Sequence, residues 1–570
     1  MVKKLPKTDV VISGVGWAGG IIASELTKEG FNVVGLERGK DRSTDDFFMI
    51  HDELRYGLRY ELMQDTSKET VTFRNKKDQL ALPMRQLGSF LLGDGLGGSG
   101  VHWNGMTVRF FPYDFEIKTE TEKRYGKEKT EIHGINLQDW GMTYDELDPY
   151  YTKFEHMAGI SGEENPFVPQ SKPYPNPPMK DTKPITMFKE ATKKMGYHPV
   201  HIPSANMSET YTNPDGQTLN QCQYCAFCER FGCEFGAKAD PLVTVLPVAE
   251  KTGNFELRTN SYVTEVIYDG KKASGVRYTD TLTGEQFEQP ADIVVVTSYQ
   301  LNNVKLLLQS GIGKPYDPKT KTGVIGKNYC YQIPANATGF FEEEKFNLAM
   351  GAGALGGMID DINGDNFDHS DLDFIHGGMV YLLQTGNRPI NSNPVPPGTP
   401  NWGKEFKEKS LHYFNRALTV GAQGASMPHA DNYLDLDPTY KDAYGMPLLR
   451  MTYNWTEQDR KLSKHLSEQA QKILKEMGAD IITDVAELGD YDITPYQSTH
   501  NTGGAIMGND PETSAVNTYQ QVWDAENVFV TGASSFVHNG GGNPTATVGA
   551  LAYRAAEGII KYAKDGGMLE

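Results

Sequence analysis

Residues 8–38 read TDVVISGVGWAGGIIASELTKEGFNVVGLER, and this stretch decides the fold of the N-terminal part of the chain. A β-branched run from Asp9 to Ser13 is followed by glycines in G-x-G-x-x-G spacing, a helical apolar pattern and a second apolar run that ends in Glu37. This order of strand, glycine turn, helix, strand and acid is the dinucleotide-binding fingerprint of a Rossmann βαβ unit. We therefore predict that the segment binds a dinucleotide.

The glycines of this fingerprint have separate predicted roles. Gly14 permits the tight turn, Gly16 lets the backbone approach a pyrophosphate at the helix N-terminus, and Gly19 lets helix and strand pack closely. Glu37 follows Gly14 by 23 residues, close to the ~20 typical of an acid that bonds a ribose hydroxyl. The pattern does not separate FAD from NAD, and a G-x-G-x-x-G alone also occurs as an ordinary glycine turn.

The C-terminal residues 527–562 contain a second strand, glycine-rich loop and helix. A buried strand from Val528 to Val530 precedes Gly532, and Pro544 marks the start of the helix. The apolar residues of this helix have helical spacing: Val548, Leu551, Ala552, Ala555 and Ile559. A helix N-terminus aimed at a flavin stabilises negative charge on the reduced ring. The alternative is a plain packing helix.

Five blocks of sequence, taken in this order, resemble the glucose–methanol–choline (GMC) oxidoreductase family. They are the N-terminal fingerprint, LLGDGLGGSGVHWNGMTVR at 91–109, ADIVVVTSYQLNNVKLLLQSGIG at 291–313, HNTGGAIMG at 500–508 and GGNPTAT at 541–547. The resemblance covers nearly the whole chain and implies FAD as the cofactor. It also implies an α/β fold of the GMC and pyranose-oxidase-like kind, with a Rossmann-like FAD-binding domain assembled from separated segments and a substrate domain with an antiparallel sheet.

The resemblance divides the chain into two discontinuous domains. The FAD-binding domain is expected to comprise residues 1–110, 240–328 and 500–570, and the substrate domain residues 111–239 and 329–499. A cysteine-rich loop, residues 220–238, belongs to the expected substrate domain.

In GMC enzymes a His faces the flavin, and a second His or an Asn about forty residues later faces it too. The matching residues are His500 and Asn543, 43 residues apart. Oxidation of an alcohol by hydride transfer to flavin N5 requires the hydroxyl proton to leave, and a neutral imidazole is suited to accept it. Asn543 can hydrogen-bond the same oxygen. An Asn before a Pro is also a good helix N-cap, and a capping side chain cannot face substrate. His538 lies in the same loop but does not match the family position.

The stretch GGSGVHWNG is expected to lie against the flavin. Gly97 and Gly98 bring the backbone close to the cofactor, and Asn104 is a further expected FAD contact. His102 followed by Trp103 resembles the pyranose-oxidase-like branch, in which a His at this position is joined to the flavin 8α-methyl carbon. A His hydrogen-bonded beneath the ring is the alternative, and both stay open. The other expected FAD contacts are Gly532, Pro544 and Thr545.

Four of the five cysteines lie within residues 222–233, CQYCAFCERFGC. Cys222, Cys225, Cys228 and Cys233 have the spacing C-x2-C-x2-C-x4-C. A structural zinc site normally has two cysteine pairs separated by a longer loop, and disulfides between such close cysteines close tiny, strained loops. Successive x2 gaps are typical of iron–sulfur ligands. We favour an iron–sulfur cluster over zinc or unligated thiols.

The family resemblance supports a cluster but leaves its type open. Iron–sulfur-containing gluconate, glucose and fructose dehydrogenases of the GMC family carry a [3Fe-4S] cluster in a cysteine-rich loop. Their loop begins with adjacent cysteines, whereas this chain has x2 gaps. Four ligands to [4Fe-4S] and three ligands to [3Fe-4S] therefore both stay open.

The cluster favours a dehydrogenase over an oxidase, because it carries electrons one at a time from a two-electron flavin to a haem or quinone. The expected activity is oxidation of a secondary alcohol or hemiacetal of a sugar, sugar acid or polyol. The expected partners are a small subunit and/or a cytochrome or quinone acceptor. The alternatives are a GMC oxidase that reduces O₂ to H₂O₂, and a non-redox flavoprotein or electron-carrier subunit.

The chain is acidic, with 74 Asp and Glu against 55 Lys and Arg. Such a surface repels nucleic acid, so no nucleic-acid partner is expected. No apolar run reaches the ~18 residues of a membrane span. The N-terminus MVKKLPKTDVVISG passes straight into a strand pattern, without the apolar region of a signal peptide. The expected location is the cytoplasm, or an exported or membrane-associated position reached only through a partner subunit.

Overall fold

The computed structural model describes residues 2–47, 62–85, 92–388, 390, 392–494 and 499–569. Leu91, the first residue of the LLGDG block, lies outside the described residues. The expected domains are likewise described only within these ranges.

The helices of the described residues are, in chain order, α1 Trp17–Lys28, α2 Pro112–Phe115, α3 Ile117–Tyr125, α4 Tyr144–Ala158, α5 Lys183–Lys194, α6 Leu246–Lys251, α7 Gln300–Ser310, α8 Lys404–Tyr413, α9 Glu457–Glu476 and α10 Thr545–Asp565. Short 3₁₀ turns occur at Thr44–Asp46, Gly98–Gly100, Lys127–Thr130, Ile132–Gly134 and Ala533–Ser535.

The strands of the same residues are β1 Lys3–Lys4, β2 Thr8–Ser13, β3 Val33–Leu36, β4 Val71–Arg74, β5 Leu82–Pro83, β6 Val200–His201, β7 Tyr211–Thr212, β8 Thr218–Leu219, β9 Phe255–Arg258, β10 Ser261–Tyr268, β11 Ala273–Asp280, β12 Gln286–Val296, β13 Cys330–Tyr331, β14 Ile333–Phe340, β15 Gly356–Ile359, β16 Gly378–Leu383, β17 Ala417–Gly424, β18 Tyr433–Lys441, β19 Pro447–Thr452, β20 Ile481–Ile482, β21 Asn501–Thr502, β22 Gln521–Val522 and β23 Ala525–Val530.

A parallel sheet in the order β9-β3-β2-β12-β23 is assembled from three separated parts of the chain. The N-terminal β2-α1-β3 unit forms its centre, and Val10, Val11 and Ile12 of β2 are fully buried. Helix α1 packs against α10. The first half of the long strand β12 pairs instead with the antiparallel β10-β11 hairpin. The sheet therefore confirms the expected Rossmann-like domain built from separated segments.

A second, six-stranded sheet has the order β20-β14-β17-β16-β15-β6, and every pairing in it is antiparallel. Helix α9 packs across β14 and β17. It begins with a capping box formed by Thr456 and Asp459, and its apolar face buries Leu462, Leu466 and Ile473 completely. The antiparallel sheet expected for the substrate domain is thus confirmed.

A smaller sheet joins parts of the chain that belong to different expected domains. Its order is β18-β19-β4-β5, and β4 lies parallel to β19. Strand β4 lies within 1–110, while β19 lies within 329–499. The exact domain boundaries therefore stay a prediction. None of the described helices has the length and apolar character needed to cross a bilayer.

Candidate active site

A cavity of about 420 Å³ lies at the carboxyl edge of the parallel sheet, the edge at which such folds bind dinucleotides. The ends of β2, β3, β12 and β23 line it, together with the N-termini of α1 and α10. Glu37 lies at one end, and His500 and Asn543 line the wall beyond the glycine turn. The two predicted halves of the site therefore share one cavity.

Two of the three fingerprint glycines lie where a side chain would clash with the backbone, and the third lies beside open space. A Cβ on Gly14 would lie 2.7 Å from Thr297 O, and one on Gly19 would lie 2.1 Å from Gly14 O. A Cβ on Gly16 would meet no protein atom nearer than 3.7 Å. The space beside Gly16, directly before α1, is therefore open to a pyrophosphate.

Glu37 lies in the position expected of the ribose-binding acid. Its Oε2 accepts a hydrogen bond from Val15 N and its Oε1 one from Gly39 N, both at 3.0 Å. Burial raises the pKa of the carboxyl, and the two N–H groups oppose that rise. Because a carboxylate has about four acceptor positions, Glu37 keeps capacity for ribose hydroxyls.

The second glycine turn faces the first. Gly97 has a φ of +83°, and a Cβ on Gly98 would lie 3.4 Å from Gly16 Cα. His102, which is 4% exposed, and Asn104 border the cavity further along. Gly98, His102 and Asn104 therefore line the cavity, whereas Gly97 does not itself border it.

The C-terminal predicted contacts reach the same cavity. Gly532, Pro544 and Thr545 border it, and the 21-residue helix α10 begins at Thr545, so its macrodipole places partial positive charge at this wall. Asn543 does not cap α10. Its Oδ1 is buried and accepts no hydrogen bond from the described residues. The structure therefore excludes the N-cap alternative and leaves an unsatisfied amide oxygen beside the cavity, where a ligand donor fits.

His500 and Asn543 converge on one point. Asn543 Nδ2 donates to His500 Nε2 at 3.2 Å, and His500 Nδ1 lies 3.3 Å from Thr499 Oγ1. Because Nε2 accepts, the imidazole carries its proton on Nδ1 and its lone pair on Nε2. Asn539 Nδ2 donates to His500 O at 2.8 Å and so ties the His500 segment to the loop that precedes Asn543. The pair therefore places an acceptor, His500 Nε2, and a donor, Asn543 Nδ2, side by side at the cavity.

Burial lowers the pKa of His500 to about 4. The charged form of the imidazole is disfavoured because the surrounding protein removes water from it. At neutral pH the side chain is therefore uncharged, which is the state in which Nε2 can accept a proton.

The four clustered cysteines line one small pocket. Burial raises the pKa of Cys222 to about 12 and that of Cys228 to about 11. A zinc tetrahedron with Zn–S bonds of 2.3 Å requires sulfur atoms about 3.8 Å apart. No three of these thiols lie within 4.8 Å of one another among the described residues. The thiols of the described residues are therefore not arranged as a zinc tetrahedron in this structure.

The cysteine loop is fastened to the segment that borders the cavity. Lys238 is fully buried, and its Nζ donates to Trp103 O and Cys228 O at 2.7 Å and to Phe231 O at 2.9 Å. Arg230 N donates to His102 O at 2.7 Å. The loop and the His102 segment are therefore neighbours with direct backbone contacts.

Sequence reasoning missed a polar wall of the cavity. It consists of Glu229, Arg230, Tyr381 and Gln423. Tyr381 on β16 pairs with Gly421 on β17, so Gln423, two residues further, shares its face. The Tyr381 hydroxyl hydrogen-bonds Gln423, and burial raises its pKa to about 12. No local signal marks these residues, because the register of two buried strands brings them together.

A buried group of polar side chains consists of Asp114, His376 and His538. Asp114 Oδ1 lies 2.8 Å from His376 Nε2 and 2.9 Å from His538 Nε2. His376 Nδ1 accepts from backbone N–H groups, and His538 Nδ1 accepts from Trp140 Nε1. Both Nε2 atoms therefore carry protons and donate to Asp114. Burial alone would raise the pKa of Asp114, but the two imidazoles hold that pKa well below its usual range. The cluster is a hydrogen-bonded anchor for the His538 loop and not a metal site.

Asp114→Asn is expected to lower the free energy of unfolding by about 2–3 kcal/mol. Asp114 Oδ2 accepts the Phe111 N–H at 2.8 Å, and an amide NH₂ at either oxygen position would face a buried donor. Urea unfolding of the holoprotein measures the effect. Asp292→Asn, which breaks an exposed ion pair with Lys7, is the control and should change stability by less than about 1 kcal/mol. Equal effects of the two substitutions would contradict this role.

A dinucleotide-binding cavity on a Rossmann-like sheet, with an imidazole and an amide at its wall, is the arrangement of a dinucleotide-dependent oxidoreductase. The comparison with known families makes the class specific. Two family models, each described as GMC oxidoreductase, match residues 130–333 and 428–552. The chain belongs to the GMC oxidoreductase family, and it is an FAD-dependent oxidoreductase that acts on CH–OH donors.

Individual relatives cover nearly the full length. The chain is 42% identical over 590 residues to the gluconate 2-dehydrogenase flavoprotein of Pantoea cypripedii, covering 99% of this chain and 96% of that protein. It is 25% identical to the fructose dehydrogenase large subunit of Gluconobacter japonicus, covering 98% of each. Pyridoxine 4-oxidase from Mesorbium loti has a similar fold, with a TM-score of 0.61, 17% identity and coverage of 97% and 99%.

Proposed function

We propose that the chain is a dehydrogenase that oxidises a CH–OH group of a sugar acid, sugar or polyol. FAD is the hydride acceptor, and electrons leave through an iron–sulfur cluster in the cysteine loop to an external acceptor. One observation carries the proposal. His500 Nε2 and Asn543 Nδ2 meet at 3.2 Å on a cavity that Glu229 and Arg230 of the cysteine loop also line. The 42% identity to a gluconate 2-dehydrogenase flavoprotein supports a sugar acid as substrate.

His500 and Asn543 have complementary roles in this reaction. Because Asn543 Nδ2 donates directly to His500 Nε2 at 3.2 Å, the substrate hydroxyl must replace this hydrogen bond. Its proton then moves to His500 Nε2 as the C–H bond breaks. Asn543 Nδ2 donates to the same oxygen and stabilises its developing negative charge. FAD supplies the acceptor for the hydride that leaves the carbon. The burial that keeps His500 uncharged keeps the base ready at neutral pH.

The residues proposed to hold FAD line the cavity, except Gly19 and Gly97, which belong to the two glycine turns. Gly14, Gly16 and Gly19 form the pyrophosphate turn, and Glu37 binds the ribose. The opposite wall and the α10 end contribute Gly97, Gly98, His102, Asn104, Gly532, Pro544 and Thr545. The open space at Gly16 and the unsatisfied Asn543 Oδ1 both fit a bound dinucleotide flavin and its substrate.

Acid precipitation of the protein tests whether the flavin is covalently bound. A bond between His102 and the 8α-methyl carbon carries the yellow colour into the pellet. A His102 that only contacts the ring leaves the colour in the supernatant. His102→Ala supplies the reference for the unattached state.

The cysteine pocket is proposed to hold the cluster. Cys222, Cys225, Cys228 and Cys233 all line it, and a cluster bound there supplies one-electron transfer. Optical and EPR spectra, with iron and sulfide assays of the purified protein, distinguish [3Fe-4S] from [4Fe-4S]. A protein without iron and sulfide would contradict this part of the proposal.

The electron acceptor is proposed to lie outside this chain. A small subunit and a cytochrome or quinone are the expected partners, and the relative that is a large subunit of fructose dehydrogenase supports a multi-subunit assembly. The cellular location stays a prediction.

The activity test uses the purified protein with an artificial electron acceptor under anaerobic conditions. We expect turnover of D-gluconate, and slower turnover of D-glucose and D-glucitol, because the polar wall suits a polyhydroxylated substrate. Aerobic assays without the dye measure H₂O₂. Peroxide formed at the rate of substrate oxidation would indicate an oxidase instead. Absence of turnover with every sugar, sugar acid and polyol would leave the electron-carrier alternative.

A further inference from the structure

We infer that Tyr381 is a specificity-determining residue whose O–H donates a hydrogen bond to a substrate hydroxyl on a carbon other than the one that is oxidised. This inference rests on the proposed function and deepens it, because such a contact selects a polyhydroxylated chain over a simple alcohol. Gln423 and Gln332 are the positioning residues that orient the Tyr381 hydroxyl.

The six-stranded antiparallel sheet contributes a short edge to the cavity. Of the residues of this sheet that the structure describes, Tyr381, Leu383 and Gln423 border the cavity. Leu383 is apolar, so the polar groups of this edge are the Tyr381 hydroxyl and the Gln423 amide. A few convergent polar groups of this kind fix the orientation of a ligand in its pocket.

Strand β16 is hydrogen-bonded directly to the segment that carries Asn543. Met379 N donates to Gly541 O at 3.1 Å, and Gly541 lies two residues before Asn543. Gln423 is the antiparallel partner of Met379, so their Cα atoms lie about 5 Å apart. Tyr381 lies two residues further along β16, about 7 Å from Met379. The two polar groups therefore begin next to the Asn543 segment and extend away from it, as the hydroxyls of a polyol chain do from its reacting carbon.

The neighbouring strand β17 is joined to the His500 segment in the same way. Ser426, just after β17, exchanges backbone hydrogen bonds of 2.9 and 3.1 Å with Asn539. Asn539 Nδ2 in turn donates to His500 O at 2.8 Å. Because one hydrogen-bonded frame holds this edge of the sheet and the proposed base, a hydroxyl bound at Tyr381 would fix the position of the reacting carbon.

The ring of Tyr381 lies across β17 because residue 421 is a glycine. Gly421 is the antiparallel partner of Tyr381. A Cβ on Gly421 would lie 2.9 Å from Tyr381 Cε2 and 3.1 Å from its hydroxyl oxygen. Gln423 is the next residue of β17 on the same face, so the hydroxyl of the ring comes within reach of the Gln423 amide.

Two amides in series orient the Tyr381 hydroxyl. Gln332 is buried, and its Nε2 donates to Gln423 Oε1 at 3.1 Å. Burial raises the pKa of Tyr381 to about 12, and the hydrogen bond from Gln423 opposes this rise. A bond that favours the phenolate is one in which the amide N–H donates to the phenol oxygen. Gln423 therefore does not use the O–H hydrogen of Tyr381, which at neutral pH remains a donor for a ligand in the cavity.

The charge near Tyr381 indicates which kind of oxygen it binds. The Glu229 carboxylate borders the same cavity and also raises the pKa of Tyr381. A negative charge beside the phenol disfavours a second anion there. The expected acceptor is therefore an uncharged hydroxyl oxygen and not the carboxylate of a sugar acid.

The experiment combines variants of the enzyme with analogues of the substrate. Wild type, Tyr381→Phe and Gln423→Met holoenzymes of equal flavin content are assayed anaerobically, with an artificial acceptor, on D-gluconate and its monodeoxy analogues. Tyr381→Phe is expected to lower kcat/KM for gluconate about 10-fold, mainly through KM, because one hydrogen bond is lost. With the analogue that lacks the bonded hydroxyl, wild type and Tyr381→Phe should agree within about 2-fold. Gln423→Met should give the same pattern with a smaller loss. The analogue that lacks the oxidised hydroxyl gives no turnover with any of the enzymes and is left out of the comparison.

Tyr268→Phe is the matched control. The Tyr268 hydroxyl donates to Asp524 O at 2.8 Å in an exposed hydrogen bond, and Tyr268 does not border the cavity. This variant should have kcat/KM values within about 2-fold of wild type on every compound.

The outcomes separate this inference from the proposed function. Wild-type enzyme that turns over no sugar, sugar acid or polyol overturns both. If D-glucose or D-glucitol is turned over and gluconate is not, the monodeoxy analogues of that compound take the place of the gluconate series. Tyr381→Phe that loses nothing on the parent compound, or the same factor on every analogue, overturns only the role of Tyr381. An equal loss throughout is the result that a bond to the carboxylate or a general structural effect would give. If Tyr381→Phe lacks flavin, Gln423→Met decides the question by the same comparison.

Discussion

Replacement of His500 by alanine is expected to lower kcat by about 10³-fold, because a positioned general base contributes roughly 10²–10⁴ to the rate. The loss should appear in kcat rather than in FAD content, since the predicted FAD contacts lie on other segments. Steady-state turnover with an artificial acceptor measures it. His198→Ala is the matched control, because His198 is exposed and pairs with Asp361, and its activity should be unchanged.

The same role predicts the pH dependence of the wild-type enzyme. Burial lowers the pKa of His500 from its usual 6.5 to about 4, and the proposed reaction needs the uncharged imidazole. The rate should therefore be constant around neutral pH and fall about tenfold per pH unit below pH 4. If kcat/KM instead changes with an apparent pKa near 6.5, and this change disappears in the His500 variant, burial does not lower the pKa of His500.

Replacement of Cys228 by serine is expected to remove the proposed cluster and to abolish turnover with a one-electron acceptor. The thiol is buried, and a serine hydroxyl is a poorer ligand for an iron–sulfur cluster than a soft thiolate. Reduction of the flavin by substrate should persist, because His500 and Asn543 are unaltered. Iron and sulfide assays, EPR and anaerobic bleaching of the flavin absorbance measure the two parts separately.

Cys330→Ser is the matched control for this substitution. Cys330 is equally buried but lies on β13, away from the cysteine pocket. The Cys330→Ser protein should have the same iron and sulfide contents as wild type. Equal iron in wild type and in the Cys228 variant would show that this thiol holds no cluster.

The parts of the fold that depend on contiguous sequence could be predicted. The β2-α1-β3 unit is specified by a glycine turn between two apolar runs, and the clashes at Gly14 and Gly19 show why other residues do not fit there. The helix after Pro544 follows from its apolar period. Family resemblance indicated His500 and Asn543 as site residues. In the structure, His500 Nε2 lies 3.2 Å from Asn543 Nδ2.

The polar wall could not be predicted, because its members come from separate elements. Tyr381 and Gln423 meet only through the register of β16 with β17. Arg230 reaches the cavity through a left-handed backbone conformation and a hydrogen bond to His102, neither of which leaves a sequence signal. The choice between capping and catalysis for Asn543 likewise required the geometry of the α10 N-terminus.

The most direct test of the account is the rate at which substrate bleaches the flavin in a single anaerobic turnover. With D-gluconate, the wild-type enzyme should lose its flavin absorbance rapidly, and His500→Ala with the same flavin content should do so about 10³-fold more slowly. Bleaching of the variant at the wild-type rate would show that the imidazole at position 500 takes no proton from the substrate.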